Sequence, residues 1–266
     1  MDQILRNKKT RGQFFDRIEV ETMSEPSRGG DKISGNYWQL WDIPLCGRDI
    51  DQVLKVIEDQ IDTNSNKPFW IATVNPEFVM EAQKDRQFLE ILQETDLNVM
   101  DGVGLIWAQM MKEGNGWHRE NLVPGVELME RMCQLAERKG KTVYFFGGWG
   151  DRAKRTADYF LTKYPKLKVA GFKEEDFELE TKTDFLFVAR GMKKQEQWIE
   201  QNLPKLKVKV VMGVGRSFDY YSGDLKRAPE WMRKMGLEWL YSLYKEPKRW
   251  KRQLALPRFV WKILTD

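Results

Sequence analysis

Histidine is almost absent from this 266-residue chain, with His118 the single one, and cysteine is limited to Cys46 and Cys133. A Ser-His-Asp triad would have to use His118, which sits in the polar segment KEGNGWHREN and reads as a loop residue. Two cysteines exclude a disulfide framework and a cysteine-rich zinc site, and they fit a reducing compartment. No run approaches the roughly 20 apolar residues that cross a bilayer, and the N-terminal MDQILRNKKTRGQFFDRIEV lacks the apolar centre of a signal peptide. A soluble or membrane-peripheral protein is expected.

There is ample material for a core, since 41% of residues are hydrophobic and 12% aromatic. Charge is unevenly placed. Residues 226–266 hold eleven Lys/Arg against four Asp/Glu, so with a chain total of +4 everything before them is net negative by three. Residues 1–36, rich in charge, Ser and Gly, show no sustained periodicity and read as a loosely ordered extension.

From Trp38 onward short apolar runs alternate with segments of helical spacing. The runs are FWIATVN (69–75), LNVM (97–100), TVYFFGG (142–148), LKVAGF (167–172), DFLFVAR (184–190) and VKVVMGVG (208–215). Helices are predicted near 49–62, 76–94, 103–112, 125–139, 151–164 and 193–202. Parallel strands need crossovers and helices supply them, so residues 37–220 are expected to form a doubly wound, Rossmann-like α/β domain. Its mostly parallel sheet would carry helices on both faces. Residues 221–266 turn to Trp-rich, basic, helix-forming sequence and read as a C-terminal appendage.

Ligands of such sheets bind outside the carboxyl ends of the strands, and the unusual residues of this chain fall there. Thr73 and Asn75 end one run, and Asp101 and Gly102 the next. Gly147, Gly148 and Gly150 close the third, Arg190 and Gly191 the fifth, Gly213, Gly215 and Asp219 the last. The loop FFGGWGDRAKR could let backbone N–H groups approach a phosphate, or be a tight turn capped by Asp151. Asp101 caps the helix behind it, or is kept for its charge as a proton acceptor. The D-x-D of RDID, Asp49 and Asp51, precedes a helix without following a clear strand and reads as a cap, not a metal site. VPGVEL (123–128) reads as Pro and Gly opening a helix.

The tail sets Trp231, Trp239, Trp250 and Trp261 among its eleven cations. That mixture suits an anionic membrane interface, single-stranded nucleic acid, or docking of the helices on the core. It could also form an interface between copies of the chain, so a homo-oligomer is among the alternatives.

TVNPEFVMEAQKD, MDGVGLIWA, VPGVELM, FFGGWG, KKQEQWIEQN and GVGRSFDYYSGDLKRAPEWMRKMGLEWLYSLYKEPKR occur in that order. In order and spacing they resemble the WecG/TagA/CpsF glycosyltransferases, glycosyltransferase family 26, over about residues 38–260. The resemblance implies an inverting transferase that moves an N-acetylmannosamine-type sugar from a UDP-sugar to an N-acetylglucosaminyl-diphospho-undecaprenol-type lipid, in cell-surface polysaccharide synthesis. It implies no metal, no other cofactor and no nucleic-acid partner, and a place in the cytoplasm at the inner face of the cell membrane. Asp101 matches the family's general base, and Thr73 and Asn75 match pocket residues beside it. Gln195 and Glu196 fall in the P-K-Q-E motif, and Arg249 and Arg252 match arginines that close over the diphosphate. The remaining strand-end glycines, Arg190 and Asp219 are expected at the substrate.

Several positions depart from the family pattern. Arg190 and Lys193 stand for Leu and Pro in GLGxPKQE, Arg216 for a glycine in GVGGSFD, Leu122 for Arg in RVPG and Ser242 for Arg in WLYRL. They imply an altered donor choice or an impaired enzyme that binds UDP-sugar or lipid diphosphate without turnover.

Overall fold

The apolar runs become strands buried on both sides, which is why they read as continuous and not alternating. The structure is a computed structural model and describes residues 37–114, 116, 118–175 and 182–266. The chain opens with β1 (Tyr37–Leu40) and β2 (Ile43–Cys46), followed by α1 (Ile50–Asp62), β3 (Phe69–Val74), α2 (Pro76–Ala82), α3 (Arg86–Glu94), β4 (Leu97–Met100) and α4 (Val103–Glu113). Then come α5 (Gly125–Lys139), β5 (Thr142–Gly147), α6 (Arg152–Lys163), β6 (Lys168–Lys173), β7 (Thr183–Ala189), α7 (Lys194–Asn202) and β8 (Val208–Gly213). Five helices finish it: α8 (Ser217–Tyr221), α9 (Glu230–Lys234), α10 (Glu238–Lys245), α11 (Trp250–Gln253) and α12 (Ala255–Thr265).

Among the described residues one eight-stranded sheet runs β1-β2-β4-β3-β8-β7-β5-β6, parallel except for the β1–β2 pair. Successive strand residues serve opposite faces. Phe69 and Ile71 join a core with α1, α5 and α6, whereas Ala72 and Val74 join one with α2, α3 and α12. The expected α/β class, with helices on both faces, is the observed one.

Two features differ from expectation. The β1–β2 hairpin was not foreseen; Trp41 and Asp42 turn it with φ of 47° and 66°, values usually left to Gly or Asn. The single helix predicted over 76–94 is two, because Asp85 accepts from the Phe88 N–H (3.2 Å) and starts α3 afresh. Asp49 caps α1 with Gln52 in a reciprocal capping box, the role its sequence suggested.

The basic tail joins the rest of the described chain in one compact unit. Phe259 and Ile263 of α12 are buried in the core shared with α2 and α4, and Lys262 lies over the Trp41 ring at 4.5 Å. Docking therefore accounts for the end of the tail. Trp231, Trp250 and Trp261 stay exposed.

Candidate active site

The carboxyl ends of β3, β4, β7 and β8 open into one cleft of about 300 Å3. It lies where β4 and β8 flank β3 on opposite sides, so the loops that follow them diverge and leave a crevice. The tail supplies the opposite wall through Arg233, Glu238, Trp239, Ser242 and Arg252.

Asp101 follows β4 directly and lines the cleft, its backbone N–H donating to the Val74 carbonyl (2.7 Å). It does not cap the helix behind it. Gly102 occupies that place, with φ of 132°, and α4 begins without a side-chain cap. The carboxyl group turns instead to the start of α5, where the Gly125 N–H donates to it. That helix also lacks a capping side chain, so Asp101 meets unsatisfied N–H groups at its positive end. Gly125 permits the approach: a Cβ there would stand 2.8 Å from Thr73 Cγ2 and 3.4 Å from Asp101 Oδ2.

Burial pushes the Asp101 pKa up from 3.8 to about 7, helped by the charges of Glu238 and Glu127 and opposed by the Gly125 N–H and Arg227. A helix end favours an anion by only ~0.3–1 kcal/mol, against the ~4 kcal/mol such an upward shift represents. Desolvation wins. A carboxyl that changes protonation near neutrality suits general-base work.

Thr73 and Asn75 flank the acid, and both line the cleft. Thr73 Oγ1 donates to the Gly213 carbonyl (3.2 Å), tying β3 to β8. Asn75 Oδ1 accepts from the Glu77 and Phe78 N–H groups (2.9 and 3.2 Å), capping α2. That leaves the Asn75 amide NH2 as its free polar group. Gly191, Gln195 and Gly215 complete this wall.

The cleft arginines are held by carboxylates. Arg252 pairs with Glu77 (2.7 Å), Arg216 with Asp219 (3.3 Å) and Glu246, and Arg233 with Glu127 (2.9 Å). Arg227 bridges Glu127 (3.1 Å) and Glu238 (3.3 Å), joining α5 to α10 beside Asp101. The side chain of Arg249 lies outside the described residues.

Other expected residues do not line the cleft. Gly147 is pressed against β7, Gly148 donates its N–H to the Ala189 carbonyl (2.7 Å), and Gly150 turns beyond them. Arg190 lies over the Phe146 ring at 5.3 Å. Gly213 and Glu196 are packed behind the wall, and Asp219 is spent on Arg152 (3.0 Å) and Arg216. Asp151, the alternative cap for this turn, takes the N-cap position of α6 but makes no side-chain cap hydrogen bond and pairs with Arg155 (2.8 Å). Of the departures from the family pattern, Leu122, Arg216 and Ser242 line the cleft, whereas Lys193 pairs with Glu81 (3.0 Å) and Asp85 (2.6 Å).

Gly125, Glu127, Arg227 and Glu238, which surround Asp101, do not stand out in the sequence. The one signal was VPGVEL, whose Pro-Gly pair is indistinguishable from any helix start until its neighbours in space are known. Among the described residues no three or more His, Cys, Asp or Glu side chains are grouped to hold a metal ion.

The sequence profile of the Glycosyl transferase WecG/TagA/CpsF family matches residues 38–266. An N-acetylglucosaminyldiphosphoundecaprenol N-acetyl-beta-D-mannosaminyltransferase of Bacillus subtilis (strain 168) is 32% identical over 205 residues, 74% of this chain and 79% of its own. The protein of that name from Staphylococcus aureus (strain MRSA252) is 30% identical over 235 residues, 83% of this chain and 91% of its own.

Proposed function

The chain belongs to the WecG/TagA/CpsF glycosyltransferase family, and on that premise we propose that it moves an N-acetylmannosamine-type sugar from a UDP-sugar to an N-acetylglucosaminyl-diphospho-undecaprenol-type lipid. The observation that carries the reading is Asp101, a carboxyl titrating near neutrality in the wall of a cleft bordered by arginines.

The reaction is one displacement. Asp101 takes the proton of the acceptor hydroxyl as that oxygen bonds to the sugar C1, and the bond from C1 to the UDP oxygen breaks on the opposite face. Configuration at C1 inverts. Charge on the departing diphosphate falls to Arg252 and Arg216. Binding there requires the diphosphate to compete with Glu77 and Glu246 for the same guanidinium groups.

The test is transfer from UDP-N-acetylmannosamine to a short-chain polyprenyl diphosphate acceptor, with the product's anomeric configuration read by NMR. Because only unprotonated Asp101 accepts a proton, kcat/KM is expected to rise with pH around 7, a range into which burial also pushes Glu196. A flat profile between pH 5 and 9 would remove Asp101 from the role of base. The ion pairing of the cleft arginines favours a second reading, an impaired member that holds ligand without turnover. Thermal stabilisation by UDP with no UDP release in the presence of acceptor would select it.

No helix among the described residues is long and apolar enough to cross a membrane. Exposed Trp231, Trp250, Trp261 and Tyr244, set among lysines and arginines, support attachment of the tail to the anionic inner face of the cell membrane. Sedimentation with vesicles is expected to require anionic lipid and to weaken as salt is raised from 0.05 to ~0.5 M, where the screening length falls below ~5 Å. Equal binding to neutral vesicles would contradict this.

A further inference from the structure

One wall of the cleft consists of two loops with no regular structure of their own, the turn at Gly191–Met192 after β7 and the turn at Gly215–Arg216 after β8. What fixes them is anchored behind the wall, at Glu196, which does not line the cleft, and reaches its surface through Gln195. Glu196, in the first turn of α7, is fully buried, and Gln195 is 1% exposed. Glu196 Oε1 accepts from Gln195 Nε2 (2.7 Å), and Oε2 accepts from the Lys193 backbone N–H (2.7 Å). Gln195 Oε1 in turn accepts from the Gly215 N–H (2.9 Å).

The direction of this relay is unambiguous. A backbone N–H only donates, so Gly215 obliges Gln195 to present its oxygen there and its NH2 to Glu196. Lys193 occupies the other carboxyl oxygen by the same rule. Both oxygens of Glu196 are thus acceptors, a task no other side chain of that shape performs. The fit is close, since a Cβ on Gly213 would stand 2.7 Å from Gln195 Nε2 and 2.8 Å from Glu196 Oε1. The Lys193 backbone is strained, with φ of 71° and ψ of −48°, a conformation rare for a residue with a side chain. Its N–H to Glu196 and its ammonium pairs with Glu81 and Asp85 hold it there.

We propose that Glu196 is a positioning residue that touches no substrate and sets the shape of the donor wall, through Gln195 onto Gly215 and through the Lys193 backbone onto Gly191–Met192. The assignment of that wall to the UDP-sugar rests on the function proposed above; the relay itself does not.

The experiment is E196Q in the full chain. However its amide is turned, one NH2 faces an N–H donor, so one arm of the relay breaks while volume is kept. Amide hydrogen exchange in the segment 213–217 is expected to speed up. UDP affinity by calorimetry is expected to fall about 10-fold, and the donor KM to rise with it, while kcat and acceptor KM stay within about 3-fold. If E196Q does not fold, Gln195→Leu cuts only the arm to Gly215 and must show the faster exchange. Unchanged exchange together with unchanged UDP affinity overturns the proposal, as does a loss confined to kcat. Faster exchange in a protein whose wild type binds no UDP leaves the relay standing and counts against the nucleotide reading.

Discussion

Asp101→Asn is expected to lose at least ~100-fold in turnover and yet, at pH 8, to melt at a higher temperature than the wild type. The folded carboxyl, at about 7, titrates above its ordinary value of 3.8. Its contribution to stability is therefore full below pH 3.8 and is lost as pH rises through 7, where the native state must hold an ion that burial disfavours. Asparagine is neutral throughout and still accepts from the Gly125 N–H. The full interval is worth ~4 kcal/mol, reduced to ~1–2 kcal/mol because the carboxyl borders the open cleft and keeps some water. Thermal denaturation of both proteins at pH 5 and pH 8 decides it. An equal gap at the two pH values would mean that Asp101 is not held against its preference and is not a base tuned to neutrality.

Gly147→Ala is expected to destabilise the fold by ~3 kcal/mol or more, as a collision with rigid backbone added to a strained φ. Gly147 pairs with Ala189 across β5 and β7 and has φ of 97°. A Cβ there would lie 2.4 Å from the Ala189 carbonyl oxygen, and neither strand can withdraw without breaking the sheet. Gly150→Ala in the same loop is the control. Its φ of 62° is also unfavourable, but a Cβ would meet nothing within 4 Å, so ~1–2 kcal/mol is expected. Urea midpoints measured side by side separate the two. Similar losses would show that strand contact is not the reason for glycine at 147.

Strands such as FWIATV and TVYFFG were legible because burial on both faces leaves an uninterrupted apolar run. The β1–β2 hairpin was not, since Pro44 sits within IPLC and the turn Trp41-Asp42 offers neither Gly nor Asn. In the site, a strand-end acid could be singled out from the pattern around residue 101. What decides its chemistry could not, because Gly125 and Glu238 reach it only through tertiary packing. Lys193 shows the same limit. The family pattern has proline there, but a φ of 71° and a donated N–H are both impossible for a proline ring, so the departure is one of backbone shape as well as charge.

The pairs Arg252–Glu77 and Arg216–Glu246 place a resident anion beside each cation that a leaving nucleotide would use. On the proposed function, Glu77 and Glu246 would compete with the spent nucleotide for these guanidinium groups, so its release would not have to wait for solvent ions. Hold on the donor and discharge of what remains of it would then be separately adjustable, the first through the guanidinium groups and the second through Glu77 and Glu246.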